Sequence, residues 1–332
     1  MRADRPGVSV VAGTYNDAGR LAASIDSVLA QDFPDFELII VNDGSPDPRT
    51  GAILADYARR DARIRVITRK NEGLTRALIA GCAEARGGCI ARLDIGDRYL
   101  PGKLSRQMAL IEAEPAVALV SCGVRHVYED GTVIREEVVV ESPERATSRL
   151  RADQWAELRG ICAHGTALFR RADYERAGGY RPEFYFAQDI DLWLRLTDGG
   201  SVAFLPEVLY EVDVSADGLS GMNYTAQQRL GKIAVALRQA RQQGKPEADL
   251  LALAGKVRPH GSRMAWSSRR SCSAGQYFLG NLLYHLGHGG CHRHFRQAVA
   301  LNPLNLRAWV LWGCSVLYTR AGLPGRKERR GE

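Results

Sequence analysis

Through the first two hundred residues, compact apolar runs alternate with stretches whose apolar positions recur every three or four residues. Val8-Ser9-Val10-Val11-Ala12 reads as a strand that stops at Gly13-Thr14-Tyr15-Asn16-Asp17. The segment after it puts Leu21, Ile25, Val28 and Leu29 on one face, the signature of an amphipathic helix. Phe36-Glu37-Leu38-Ile39-Ile40-Val41 reads as a second strand, closed by the polar turn 42–47. A helix near 48–60, a strand near 64–67, a turn over 69–74 and a helix to about 86 come next. The apolar run Cys89-Ile90-Ala91-Arg92-Leu93 then has the length of a buried strand. Strands and helices alternating over short connections predict an α/β fold: a mostly parallel sheet with right-handed crossovers, flanked by helices.

The polar, turn-forming clusters all follow strands, at 14–17, 42–47, 71–73 and 94–97. In an open parallel sheet the ligand crevice lies beyond the carboxyl ends of the strands, so these clusters face it. Asp94 and Asp97 are two acids at the tip of a buried strand, on either side of Gly96. Ionised carboxylates there are costly unless a cation meets them, and they suit a metal-bound, phosphate-bearing ligand. The plainer alternative is that Asp94 caps the next helix and Asp97 sits in a solvated turn. No Gly-x-Gly-x-x-Gly loop and no P-loop sequence follows the first strand, which removes the main support for dinucleotide and P-loop readings.

Beyond Pro101 the pattern predicts a helix to about Glu114, a buried strand at 117–121, and an alternating stretch at 124–140 with the hairpin signal Asp130-Gly131. His164 lies in the run Ile161-Cys162-Ala163-His164-Gly165-Thr166-Ala167-Leu168-Phe169, a strand neighbouring the site. Gln188-Asp189-Ile190-Asp191-Leu192-Trp193-Leu194-Arg195-Leu196 reads as a helix. At 100° per residue, Asp189 shares its face with Leu192, Trp193 and Leu196, whereas Asp191 lies about 200° away, four residues before Arg195. Asp191 thus has a local partner and Asp189 has none. An acid in the first turn also gains from the helix dipole.

From 222 onward the pattern turns helical and basic, with two helical hairpins expected over 275–318. Residues 1–221 hold 27 Lys and Arg against 34 Asp and Glu, whereas residues 222–332 hold 18 against 4, so a net charge of +7 hides −7 and +14. This asymmetry predicts a site-bearing domain over 1–221, a basic α-helical region over 222–325 and a disordered basic tail over 326–332. The basic region includes a short apolar stretch at 308–318 with Trp309, Trp312 and Tyr318, residue types that favour a membrane interface. The region is therefore expected to meet an anionic membrane surface, and no nucleic-acid module accompanies it. Seven scattered cysteines without a C-x-x-C pair, no N-terminal signal-type run and no apolar segment near the ~18 residues of a membrane span predict a cytoplasmic protein, peripheral on the inner face of the cell membrane. His285, His288, Cys291, His292 and His294 crowd a Gly-rich turn without zinc-finger spacing.

Residues 1 to about 215 resemble the inverting family 2 glycosyltransferases of the GT-A fold. The likeness is carried in order by the first strand with Thr14-Tyr15-Asn16, by Val41-Asn42-Asp43-Gly44-Ser45, and by Asn71-Glu72-Gly73-Leu74. Ala91-Arg92-Leu93-Asp94-Ile95-Gly96-Asp97 and His164-Gly165-Thr166 with Gln188-Asp189-Ile190-Asp191 complete it. The resemblance implies that Thr14, Tyr15, Asn16, Asp43, Asn71, Gly73, Arg76 and Asp94 bind the nucleotide sugar, with Asp43 accepting a hydrogen bond from the base. It implies a divalent cation, Mn²⁺ or Mg²⁺, held by Asp94 and Asp97; His164 and Gln188 at the diphosphate or acceptor; and Asp189 as catalytic base. Gly96 stands where the family usually has a further acid, Gln188 where it usually has Glu, and Gly13 where Pro is common. The implied activity is hexosyl transfer from a nucleoside-diphosphate sugar, a UDP-sugar by expectation, to a glycan or lipid-linked acceptor in cell-surface polysaccharide synthesis. The rival readings are a catalytically impaired sugar-nucleotide or glycan-binding module, suggested by Gly96 and Gln188, and a sugar nucleotidyltransferase, whose Gly-rich basic loop is missing after strand one.

Overall fold

A computed structural model describes residues 5–151, 162–214, 224–258 and 269–320. The tail expected to be disordered, 326–332, lies outside the described residues. The first four strands are β1 (Val8–Thr14), β2 (Phe36–Asn42), β3 (Ile64–Thr68) and β4 (Cys89–Asp94). They alternate with α1 (Leu21–Leu29), α2 (Pro48–Arg60) and α3 (Leu74–Ala83), as the apolar pattern predicts. Asp47 accepts the Arg49 N–H to cap α2, and Pro48 occupies its first turn, where a missing N–H costs nothing. After β5 (Arg98–Tyr99) and α4 (Lys103–Ala113) come β6 (Val117–Val127) and β7 (Val133–Glu137). Their turn at Asp130-Gly131 is closed by the Gly131 N–H donating to the Tyr128 carbonyl. Then follow α5 (Pro143–Leu150), a 3₁₀ turn (His164–Thr166), β8 (Leu168–Arg170), α6 (Arg171–Arg176), α7 (Gln188–Gly199) and β9 (Ser201–Asp213).

The strands form one sheet in the order β3-β2-β1-β4-β8-β6-β9-β5, with β7 paired to β6. Parallel pairing holds β3, β2, β1 and β4, while β8 runs antiparallel to both β4 and β6, and β5 antiparallel to β9. Each of β1, β2 and β3 is followed by a crossover helix, which returns the next strand parallel. The register sets Gly13 of β1 between Val41 of β2 and Asp94 of β4, so the first polar turns open side by side. Val8 and Val10 of β1, Leu38 and Ile40 of β2 and Leu93 of β4 are almost wholly buried in one core with Leu21, Ile25 and Val28 of α1 and Leu104 and Ile111 of α4.

The chain divides into two compact units. The first is drawn from Met1–Arg125, Glu136–Val212 and Gln228–Val257, the second from His126–Arg135, Asp213–Gln227 and Arg258–Glu332. These units cut across the charge break expected at 221/222. In the first unit, α8 (Tyr224–Gln242) buries Leu230 and Leu237, its Arg238 and Arg241 pair with Asp198, and α9 (Ala248–Gly255) follows. An apolar face, not net charge, decides which core a helix joins.

The second unit packs α10 (Arg269–His285), α11 (Cys291–Leu301) and α12 (Leu306–Arg320), the arrangement expected of helical hairpins. Leu279, Leu283, Cys291 and Phe295 form its core with Tyr128 and Ile134. The histidine cluster is spent on structure. His294 Nε2 lies 2.7 Å from the Tyr128 hydroxyl and Nδ1 2.7 Å from Gln276, His288 meets Asp130 at 3.1 Å, and His292 lies 2.9 Å from Ser315. Among the described residues no group of three or more His, Cys, Asp or Glu side chains is placed to hold a metal ion.

Candidate active site

The end of β2 is a sealed corner. The Asp43 N–H donates to the Thr14 carbonyl at 2.9 Å, which ties the tips of β1 and β2 together. The Asp43 carboxylate, 3 % exposed, accepts the Glu72 N–H at 3.1 Å and the Gly73 N–H at 2.7 Å, with Arg69 Nε 3.8 Å away. Burial raises its pKa despite these donors. Thr14 is buried, its hydroxyl 3.4 Å from Asp17, whereas Tyr15 is exposed. Asn16 adopts φ 63°, a conformation asparagine tolerates, and donates its N–H to Ser45 at 2.9 Å. Asn71 and Gly73 lie in the turn that Asp43 holds, and Arg76 is exposed on α3. The residues expected to read the nucleotide therefore gather around one corner.

The end of β4 is open. Arg92 is fully buried within the strand, and its Nη2 donates to Asp94 Oδ1 at 2.7 Å while Nη1 donates to the Val11 carbonyl. The Asp94 side chain remains 35 % exposed, so a buried cation holds a carboxylate that still faces outward. Asp94 caps no helix, since the N-cap of α4 is Gly102. The Tyr210 hydroxyl from β9 accepts the Asp94 N–H at 3.2 Å and donates to Asp97 Oδ2 at 2.9 Å. Gly96, between the acids, adopts φ 109°, and a Cβ there would lie 3.4 Å from Arg20. A carboxylate at 96 would be strained and would meet that guanidinium, a physical reason for glycine at this turn.

His164 sits under this corner with its ring only 9 % exposed. Arg92 Nε donates to its Nε2 at 3.1 Å, and the Tyr180 hydroxyl lies 2.8 Å from the same nitrogen. Burial, then the Arg92 charge, push its pKa down to about 3, so the ring is neutral. Because Nε2 accepts, the proton is assigned to Nδ1, which lies 3.9 Å from Asp94 Oδ1. His164 is thus committed to Arg92, Tyr180 and Asp94.

Helix α7 brings the third acid. Its N-cap, Ala187, holds φ 52° without being glycine, a strained conformation at the helix entrance. Asp189 lies in the first turn and makes no ion pair among the described residues. Burial pushes its carboxyl up to about 6, with the negative charge of Asp94 acting in the same sense. Asp191 is the opposite case: it is 1 % exposed and binds Arg195 at 2.5 Å, while Arg195 also donates to the Ala177 and Gly179 carbonyls. Gln188, the first residue of α7, is buried.

The structure therefore brings Asp94, Asp97, His164 and Asp189 into one electrostatic neighbourhood. It adds Arg92, Tyr180 and Tyr210, to which the sequence reading gave no role. Arg92 alone left a trace, as a charge inside an apolar run. Asp94 and Asp97 are adjacent, the Asp97 N–H donating to the Asp94 carbonyl at 3.0 Å. Small divalent cations are commonly held by one or two carboxylates plus substrate phosphates, so these donors fit a cation that arrives with a diphosphate.

Residues 9–178 match the family model described as glycosyl transferase family 2. EpsE of Bacillus subtilis, named as a glycosyltransferase, is 33 % identical over 225 residues, covering 66 % of this chain and 77 % of that protein. The amylovoran biosynthesis glycosyltransferase AmsE of Erwinia amylovora is 28 % identical, over 70 % of this chain and 86 % of that protein. Among solved structures, the mannosyltransferase PcManGT of Pyrobaculum calidifontis, in complex with GDP-Man and Mn²⁺, superposes with a TM-score of 0.53 at 18 % identity, over 96 % of this chain and 87 % of that one. That likeness carries the fold, which is the GT-A type expected from the sequence.

Proposed function

The chain belongs to glycosyl transferase family 2 and is a glycosyltransferase, and we propose that it moves a sugar from a nucleoside-diphosphate sugar to a hydroxyl of a glycan or lipid-linked acceptor with inversion. The observation that carries this reading is the contrast within α7. Asp191 is neutralised by Arg195, while Asp189, two residues earlier, keeps a carboxyl without an ion-pair partner and held up to about 6. A base of that strength is ionised near neutrality and basic enough to accept a proton in the transition state.

In this mechanism the corner at Asp43, with Thr14, Tyr15, Asn16, Asn71, Gly73 and Arg76, receives the nucleotide. Asp94 and Asp97 would hold Mn²⁺ or Mg²⁺, which when bound supplies positive charge against the leaving diphosphate. Arg92 orients Asp94, and neutral His164 supports the same carboxylate. Asp189 takes the proton of the acceptor hydroxyl as that oxygen attacks the anomeric carbon. The bond to the nucleoside diphosphate breaks in the same displacement, which inverts the configuration. Gln188, beside Asp189 at the start of α7, is assigned to the acceptor in this reading.

Replacing Asp189 by Asn keeps the shape and removes the base. Release of nucleoside diphosphate should fall by about 10²-fold or more, with donor affinity little changed. Near-normal turnover would overturn the assignment.

The donor nucleotide is proposed to be uridine diphosphate, and the product a cell-surface polysaccharide; the relative AmsE is named for amylovoran biosynthesis. No described helix is long and apolar enough to cross a membrane. Residues 269–320 nevertheless contain six arginines and no Asp or Glu, and Leu304, Leu306, Trp309 and Val310 are exposed. This face suits peripheral contact with an anionic leaflet that carries the acceptor. Co-sedimentation of the full chain with phosphatidylglycerol vesicles should be lost at high salt and weakened by Trp309→Ala; recovery in the supernatant at low salt would exclude it.

A further inference from the structure

We propose that Tyr210 is a positioning residue that fixes the two strand-end acids, Asp94 and Asp97, relative to each other for a divalent cation bound with a nucleoside diphosphate. The inference rests on the reading of those acids as the cation site. Its basis is one hydroxyl with two partners: it accepts from the backbone of one acid and donates to the carboxylate of the other. The acids are separated by a turn in which Gly96 sits at φ 109°. Tyr210 spans that turn from a distant part of the chain.

The surroundings are built to let it. Tyr210 is fully buried on β9, opposite Tyr99 of β5 in register, their ring centroids 5.9 Å apart. Lys103, also fully buried, places Nζ 4.0 Å from the Tyr99 ring centroid and 5.9 Å from that of Tyr210, and donates to Gln107 at 2.8 Å. Rings packed between a strand and a buried cation cannot swing away. Gly165 completes the fit: a Cβ there would come within 1.8 Å of the Tyr210 hydroxyl, so only glycine lets the phenol reach the acids.

A carboxylate that binds a metal needs its unused contacts fixed, and losing such a supporting hydrogen bond commonly costs about 10–100-fold in metal affinity. Tyr210→Phe removes one oxygen and keeps the ring. Tyr99→Phe serves as the matched control, since the Tyr99 hydroxyl donates to the Arg92 carbonyl at 2.6 Å in the same layer and touches neither acid side chain.

The experiment is Mn²⁺ titration of the full-length protein with uridine diphosphate present, read by electron paramagnetic resonance of free Mn²⁺, alongside thermal unfolding of each variant. Tyr210→Phe should bind Mn²⁺ about 10–100-fold more weakly than the parent, and Tyr99→Phe should bind it like the parent. Parent-like affinity in Tyr210→Phe, with binding abolished in Asp94→Ala, would overturn the positioning role and leave the cation site standing. Equal weakening in both tyrosine variants, in step with their loss of thermal stability, would also overturn it. A parent protein that binds Mn²⁺ no better than Asp94→Ala would remove the cation reading and this inference together.

Discussion

Asp43 follows β2 and Asp94 ends β4, the strands on either side of β1 in one sheet, yet the fold treats them oppositely. At the tip of β2, Asp43 is 3 % exposed and spends both oxygens on the amides of the turn before α3. At the tip of β4, the Asp94 side chain is 35 % exposed, held from behind by Arg92 and faced by Asp189. One acid clamps backbone and shapes a corner; the other presents charge. The difference teaches that an acid after a strand signals a crevice, while its partners decide whether it builds the wall or acts within it. Helix α7 repeats the lesson over two residues, with Asp191 sealed by Arg195 and Asp189 left without an ion pair among the described residues.

Three measurements would break or sharpen this contrast. The largest effect is expected at the sealed acid of α7. Asp191→Ala strands the buried Arg195 and should cost about 3–5 kcal/mol, seen as a lowered midpoint in urea or thermal unfolding. A variant as stable as the parent would show that Asp191 is not a structural acid. Next is Asp43→Ala, which leaves the Gly73 amide buried without its acceptor and should cost about 1–3 kcal/mol. Donor affinity should fall with it, because the corner loses its shape. Full stability with lost donor binding would move Asp43 from the wall to the ligand.

The smallest effect is the pH dependence at the open end. In the proposed mechanism Asp189 would act as a base only when ionised, and its carboxyl is held up to about 6. Turnover should therefore be level above that value and fall toward tenfold per unit below it, since protonation removes the base. His164, pushed down to about 3, should add no limb in this range. A profile flat down to pH 5 would detach Asp189 from the proton transfer.

Much of this was legible in the chain. Apolar spacing alone delivers the alternation of strands and helices to residue 113, because each buried run must be short and each amphipathic stretch must cover a sheet face. The same spacing separated Asp189 from Asp191, since 200° of rotation sends one acid toward Arg195 and leaves the other without a local partner. What spacing cannot carry is who meets whom across the sheet. Arg92 reaches Asp94 from two residues back on the same strand, but His164, Tyr180 and Tyr210 come from separated segments, and only the folded chain brings His164 and Tyr210 to Asp94 and Tyr180 to His164. The division into units was decided the same way. Charge summed along the chain put a boundary near 221, but the burial of α8 residues and the capture of residues 126–135 by the second helical unit depend on contacts between distant residues. Periodicity is a local property and was written in the sequence; the company a charged side chain keeps is a long-range one, and only the folded chain sets it.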